Sequence, residues 1–366
     1  MVNRRTFLQT TLAATAGVAA TTRLSALAGE PKRKFYPVKV SRSRLIREVV
    51  GLRPYRSEGF VVAAEKIGDK LVVHNYGHGG AGITLSWGSA SLALDAARGS
   101  GQQQFAVVGC GVMGLSTARS LQRQGGAVTI YAKDLPPQTT SNIAGGFWFP
   151  TSVYDPQRVS PKFMDQFNSA CRTAQRAFQL LAGPDYGVRW IDTFQFFGSQ
   201  DAANRELEGG NALYPDIQLH HDAKRYFGVE YVKQFSTMLI EPQTYLNALL
   251  RDFYIAGGKI AVREFQSRNE LQQLPEQIIF NCTGLGARAL LDDKVLIPVR
   301  GQLEILLPQP EIDYCYLGGS GYMFPRHDGI VLGGTFDHDQ WSLEPNPEQA
   351  AGILDGHIEI MKSLKN

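Results

Sequence analysis

Gly109-Cys110-Gly111-Val112-Met113-Gly114 directly follows the short apolar run Phe105-Ala106-Val107-Val108. It opens a stretch with Val112, Leu115, Ala118 and Leu121 at helical spacing. The three glycines have separate tasks: Gly109 permits a tight turn, Gly111 lets a pyrophosphate approach the backbone, and Gly114 lets helix pack on strand. The first turn of the helix then offers unpaired N–H groups and a partial positive charge, so the chemistry expected is dinucleotide binding. A strand–helix turn with no ligand would use the same pattern. A second segment adds weight: Thr139-Thr140-Ser141-Asn142-Ile143-Ala144-Gly145-Gly146-Phe147 sets hydroxyls for phosphate before small residues that can lie flat against a ring system. The end of the strand at 127–132 should carry an acid for the ribose. Ala132 is followed there by Lys133 and then Asp134, which leaves the ribose partner open.

Arg53, in Gly51-Leu52-Arg53-Pro54, could hold a carboxylate through two parallel charge-assisted hydrogen bonds, a geometry Lys does not reproduce. Its ordinary alternative is a surface ion pair. His74-Asn75-Tyr76-Gly77-His78-Gly79-Gly80-Ala81-Gly82-Ile83-Thr84 places two histidines four apart, a metal spacing on a helix. The density of glycine makes a helix improbable there, so the stretch reads as a backbone loop and no metal is expected. Cys110, Cys171, Cys282 and Cys315 form no paired motif, and Cys110 and Cys282 read as small buried residues. His220-His221 and Lys32-Arg33-Lys34 read as solvated surface.

The elements that must position these residues follow from periodicity. Short strands are expected at 45–50 and 60–64, on either side of Gly51-Leu52-Arg53-Pro54, and at 71–73. A helix follows at 85–97 and a flexible linker at 99–104. Strand 105–108, a helix to about 124 and strand 127–132 make a βαβ unit. Further on come helices near 162–181 and 245–256, strands at 259–262 and 277–281, strands across 299–336, and a closing helix near 347–364.

The chain has 366 residues, 43% of them hydrophobic and 10% aromatic. It exceeds the roughly 250–300 residues at which single cores stop growing, so two lobes are expected, and disorder is excluded. Residues 1–28 hold Arg4, Arg5 and Arg23 and no acid, which leaves the rest with 34 charges of each sign. A neutral body argues against nucleic-acid binding. Asn3-Arg4-Arg5-Thr6-Phe7-Leu8-Gln9, the mild apolar run behind it and Ala26-Leu27-Ala28 fit a twin-arginine export signal with its cleavage site. The expectation is an exported protein, periplasmic or secreted, with no stable membrane association after cleavage.

VVGCGVMGLSTA, IYAKDLPPQTTSNIAGGFW, NCTGLGA, VRGQ, GYMFPR, LGGTF, GLRP and HNYGHGGAGITLSWG together resemble the FAD-dependent D-amino-acid oxidase and D-aspartate oxidase family. The resemblance spans nearly all of residues 45–366, but in a different order. GLRP and HNYGHGG close the family's chain and come first here, which looks like a circular permutation joined through 99–104.

The resemblance implies an α/β fold: a Rossmann-type FAD-binding domain with a second, mainly antiparallel β-sheet substrate domain. The implied segments are a signal at 1–28, a permuted segment at 29–98 and the linker at 99–104. FAD-binding parts at 105–149 and 245–292 then alternate with substrate-domain parts at 150–244 and 293–366.

It further implies Arg53 and Tyr322 as catalytic residues meeting the substrate carboxylate. For FAD it implies Gly109, Gly111, Val112, Met113 and Gly114; Ala132, Lys133 and Asp134; Thr139 and Thr140; and Ala144, Gly145, Gly146 and Phe147. Phe265 and Thr283 join these, as do Gly79, Gly80, Gly82, Ile83 and Thr84, whose backbone N–H groups would face the flavin's polar edge. Phe336 stands where some relatives carry Tyr, and Tyr314, Tyr316 and Phe336 each read as core more readily than as pocket. The implied reaction is oxidative deamination of a D-amino acid by hydride transfer to FAD, with oxygen as acceptor, giving a 2-oxo acid, ammonia and hydrogen peroxide. Partners are then the small substrate and oxygen, with a homodimer among the expected assemblies. Alternatives are a D-aspartate oxidase or other flavin amine oxidase, which would need a second cation, a non-catalytic flavoprotein, and an NAD(P)-dependent dehydrogenase.

Overall fold

The computed structural model describes residues 34–99, 101–221, 227–319 and 321–364. The expected export signal lies outside them. The chain divides after Tyr36, and Pro37–Lys365 form one compact unit, so the two expected lobes are two sheets within it. Among the described residues no helix is long and apolar enough to cross a membrane.

The first sheet has the spatial order β2 (Val61–Ile67), β3 (Lys70–Tyr76), β10 (Ile278–Asn281), β4 (Gln104–Val108), β5 (Ala127–Ala132) and β9 (Lys259–Val262). Only the β2–β3 pair is antiparallel; the rest run parallel. Parallel strands covered on both faces read as continuous apolar runs, and β10 accordingly buries every residue. Helix α1 (Gly82–Ala96) crosses helix α2 (Val112–Arg123) and helix α3 (Pro161–Leu180) on one side of this sheet. The α1–α3 crossing is close: a Cβ on Gly88 would lie 2.0 Å from the Ala170 carbonyl oxygen. Leu85 and Leu115 are fully buried there, each worth about 2 kcal/mol of transfer free energy.

The second sheet runs β1 (Leu45–Arg56), β11 (Leu296–Leu306), β14 (Gly329–Gly333), β13 (Gly321–Arg326), β12 (Tyr314–Gly318), β6 (Val188–Phe197), β8 (Tyr231–Ile240) and β7 (Gln218–His221). The short β15 (Asp337–His338) is paired to β11. All pairs are antiparallel except β12 with β6.

Three expectations need correction. No turn interrupts Gly51–Pro54; β1 runs straight through it as one strand of 12 residues. Pro54 is tolerated because β1 is an edge strand, and it stands opposite Pro298, so neither ladder position asks the other for an N–H. The helix expected from residue 85 starts at Gly82, directly after a single 3-10 turn at Gly79–Ala81. The antiparallel strands β6, β7 and β8 fill a region in which only one helix was expected. That helix is α3, where Ser160 caps Phe163 N.

Candidate active site

A cavity of about 1180 Å³ is lined by residues of both sheets. Gly109 follows β4 in a left-handed conformation, φ +110°, and a Cβ there would meet the Cys282 carbonyl oxygen at 2.5 Å. A Cβ on Gly114 would lie 1.9 Å from the Gly109 carbonyl oxygen, so α2 packs onto its own loop. Gly111 is different: its Cβ would meet only Ser141 Oγ, at 3.2 Å. That hydroxyl, one of the cluster expected to face phosphate, accepts from Val112 N at 3.0 Å and stands at the start of α2. Thr139 and Thr140 both line the cavity, and the Thr139 hydroxyl is engaged there, donating to Asn142 Oδ1 at 2.7 Å.

Apart from Gly114, which lies behind the wall, every residue expected to meet FAD lines this one cavity. Gly146, φ +84°, fastens the Ala144–Phe147 stretch, its carbonyl accepting from Ile240 N at 2.6 Å. Lys133, where an acid was expected, pairs with Glu264 at 3.3 Å, and Arg263 stacks over Phe265 at 4.6 Å. Thr283 donates its hydroxyl to Asn281 Oδ1 at 2.8 Å.

The loop after β3 departs from expectation in its donors. Gly80 N donates to the Ser152 carbonyl at 3.1 Å and Ala81 N to the His78 carbonyl at 3.1 Å, so these two N–H groups are engaged within the protein. Gly82, Ile83 and Thr84 form the first turn of α1, which has no side-chain cap and lines the cavity. The uncapped start of a helix of 15 residues presents positive potential there.

Behind the loop, Ser89 Oγ accepts from His78 Nε2 at 2.6 Å and donates to Asn75 Oδ1 at 2.6 Å, and Asn75 Nδ2 donates to Thr117 at 3.1 Å. Burial holds His78 neutral, its pKa pushed down to about 3. His74 sits apart, paired with Glu65 at 2.9 Å. All four cysteines are buried, and burial raises the Cys110 thiol to about 12.

On the opposite wall Arg53 and Tyr322 come together. Arg53 Nη2 reaches the Tyr322 hydroxyl at 3.5 Å, Nη1 donates to the Thr335 carbonyl at 3.2 Å, and the guanidinium lies 4.4 Å over the Phe336 ring. Each of the two rests on a glycine of the neighbouring strand. A Cβ on Gly301 would strike the guanidinium at 2.3 Å, and one on Gly333 the Tyr322 ring at 2.1 Å. Among the described residues no carboxylate pairs with Arg53. Tyr314 and Tyr316 are buried in the core and stay off the cavity wall, whereas the half-exposed Phe336 is part of it.

The residues fit FAD. The glycine cradle before α2 leaves backbone room where a pyrophosphate must lie, the uncapped start of α1 adds a second positive end, and the cavity extends from there to Arg53.

Residues 104–366 match the family described as FAD dependent oxidoreductase. A "D-amino-acid oxidase" from Streptomyces coelicolor is 32% identical over 259 residues, 69% of this chain and 75% of that protein. One from Rubrobacter xylanophilus is 31% identical over 256 residues, 68% and 74%. A "D-aspartate oxidase" from Homo sapiens is 30% identical over 267 residues, 71% and 76%. Glycine oxidase from Bacillus cereus superposes with a TM-score of 0.52 over 69% of this chain and 77% of its own at 16% identity, a likeness of fold alone. Glycine cradle, uncapped helix and sequence match agree: the chain belongs to the FAD-dependent oxidoreductases.

Proposed function

We propose that this enzyme oxidises D-amino acids to imino acids, which water hydrolyses to 2-oxo acids and ammonia, while oxygen takes up the two electrons and two protons as hydrogen peroxide. The observation that carries the reading is Arg53. A guanidinium with no carboxylate partner among the described residues, backed by a glycine and flanked by a Tyr hydroxyl, lines the same cavity as the FAD cradle. An amino-acid carboxylate supplies the missing anion, and the planar fork fixes its orientation. The Tyr322 hydroxyl gives the carboxylate a further donor. Phe147, Phe324 and Tyr322, stacked in series at 4.8 and 4.7 Å, keep water from the reacting carbon. The lining acids Asp134, Glu264 and Asp292 follow β5, β9 and the helix at Gly286–Leu291, away from the strands that carry Arg53 and Tyr322. The substrate amine therefore gives its proton to solvent before it binds. When bound, FAD accepts the two electrons lost by the substrate and passes them to oxygen. Catalysis by the chain itself is positioning.

The visible spectrum of the holoenzyme, mixed anaerobically with D- and L-amino acids, tests this. Bleaching of the flavin band by D-enantiomers alone is expected; a band unmoved by any D-amino acid overturns it.

Two further readings belong to the same proposal. The chain is a circular permutation of the family order, supported by the family match beginning at residue 104 while the earlier segment supplies β1 to one sheet and β2 and β3 to the other. Val38 N also lies 3.1 Å from Met361 Sδ, which brings the lead-in of β1 against the last helix, Pro347–Ser363. A gene encoding 104–364 followed by 37–99 should give a flavin-binding protein; an insoluble product argues against permutation. The enzyme is exported by the twin-arginine route, supported by Arg4-Arg5 and the residues around them. Retention of an Arg4→Lys, Arg5→Lys double variant in the cytoplasm is the expected result, and unchanged export refutes the assignment.

A further inference from the structure

We infer that Gln195 reads the far end of the substrate side chain and favours D-amino acids that end in a neutral carboxamide; the inference rests on the D-amino-acid reading above. Cross-strand partners project from the same face of a sheet. One row of partners runs Leu303 on β11, Gly333 on β14, Tyr322 on β13, Leu317 on β12 and Gln195 on β6. Tyr322, Leu317 and Gln195 all line the cavity. With strands about 4.8 Å apart, Gln195 stands roughly 10 Å along the row from Tyr322. A substrate held at its carboxylate by Arg53 and Tyr322 can send its side chain past Leu317 to Gln195. The wall on the way is apolar, since Leu317, Tyr322, Phe324 and Phe147 belong to one hydrophobic cluster. A methyl or hydroxymethyl side chain stops short of the polar end.

Gln195 Oε1 is buried and has no hydrogen-bond partner. Buried acceptors are nearly always satisfied, so this one calls for a donor. A carboxamide offers a carbonyl oxygen to Nε2 and, once the terminal amide of Gln195 turns its Oε1 toward the cavity, an N–H to Oε1, which matches both halves of the side chain. Charged tips fit worse. Lys233, the β8 partner of Gln195, turns its ammonium onto the Arg205 carbonyl and lies off the cavity wall, and the row holds no acid to meet a cationic tip. A charge brought there would be desolvated without a counter-charge.

The test uses holoenzyme with D-glutamine, the isosteric but charged D-glutamate, and the apolar D-norleucine. The wild type should show kcat/KM at least about tenfold higher for D-glutamine than for either comparator, the value of one or two net hydrogen bonds. In Gln195→Leu and Gln195→Met the ratio of D-glutamine to D-norleucine should fall about tenfold, mainly through KM. A structural role would lower all three substrates together and leave the ratio unmoved. Equal wild-type rates on D-glutamine and D-glutamate, or an unchanged ratio in the variants, overturn the inference. Turnover of D-alanine by the wild type judges the underlying reading separately. If no D-amino acid is turned over, calorimetric binding of the same three compounds to holoenzyme still ranks them. Should the variants lose their flavin, the wild-type ranking alone decides.

Discussion

Gly111 and Gly114 lie three residues apart in one motif, yet the structure assigns them opposite failures. A Cβ on Gly114 would lie 1.9 Å from the Gly109 carbonyl oxygen and 2.8 Å from its carbon, both rigid backbone. Normal contact requires α2 to retreat by more than about 1 Å, and overpacking of that kind costs about 1–3 kcal/mol. Gly114→Ala should therefore lower the melting temperature of the apoprotein itself. A Cβ on Gly111 meets only Ser141 Oγ, at 3.2 Å, the end of a side chain that can rotate. The apoprotein should melt as the wild type does. The new methyl group occupies the approach of the pyrophosphate to the α2 N-terminus, and losing one or two charge-assisted N–H contacts costs about 2–4 kcal/mol. That corresponds to FAD binding weaker by about 30- to 1000-fold. Quenching of FAD fluorescence on titration with apoprotein gives Kd directly, and thermal melts with and without FAD separate the two effects. A Gly111→Ala protein that binds FAD within about threefold of the wild type would falsify the placement of the pyrophosphate and the argument from Cβ space.

Three other outcomes are expected. Arg53→Ala should lower kcat/KM on D-alanine by about 100- to 1000-fold, the loss of a bidentate charge-assisted pair, with FAD affinity unchanged; near-wild-type turnover would show that the carboxylate binds elsewhere. Gly301→Ala should fold normally but displace the guanidinium, which the added Cβ would meet at 2.3 Å, raising KM more than it lowers kcat; an unaltered KM speaks against that support. The third concerns acid stability. Burial depresses His357 from 6.5 to about 4; its ring accepts from the Tyr316 hydroxyl and donates to the Gly333 carbonyl, a neutral form. The unfolded chain binds this proton first, so the contribution is intact above pH 6.5 and is lost as pH falls towards 4, about 3 kcal/mol in all. Urea midpoints between pH 7 and pH 4.5 should decline in the wild type and decline less in His357→Gln, and parallel curves would remove His357 as the cause.

Local patterns in the sequence are legible because single elements write them. The strand–glycine–helix unit, the helix over 161–180 and the buried strand at 278–281 each carry their own periodicity. The continuity of β1 is hidden, since Gly51 and Pro54 look like a break until an edge position and an opposing proline explain them. Glycine density likewise conceals the start of α1. Arg53 and Tyr322 were found through their motifs, but their supports Gly301 and Gly333 depend on cross-strand register, which no local window contains. The partner of Ser141 and the role of Gln195 are hidden for the same reason. Each becomes informative only through a neighbour distant in the chain.

Arg53 and Tyr322 stand 269 residues apart in the chain. Closing a loop of that length costs roughly 5 kcal/mol of chain entropy by the logarithmic rule, recovered only when β1 zips along all of β11. At about 5–20 residues per second, a ribosome takes roughly 15–50 s to deliver β11 after β1 has emerged. Through that interval β1 is an unpaired hydrophobic edge, with Leu45, Ile46, Val49 and Val50 open to any strand that passes. Arg47, Glu48, Arg53, Pro54 and Arg56 interrupt it with charge and a missing donor, the residues that keep edges from pairing promiscuously. The arginine proposed to receive the substrate carboxylate thus also guards its own strand while the enzyme is being made.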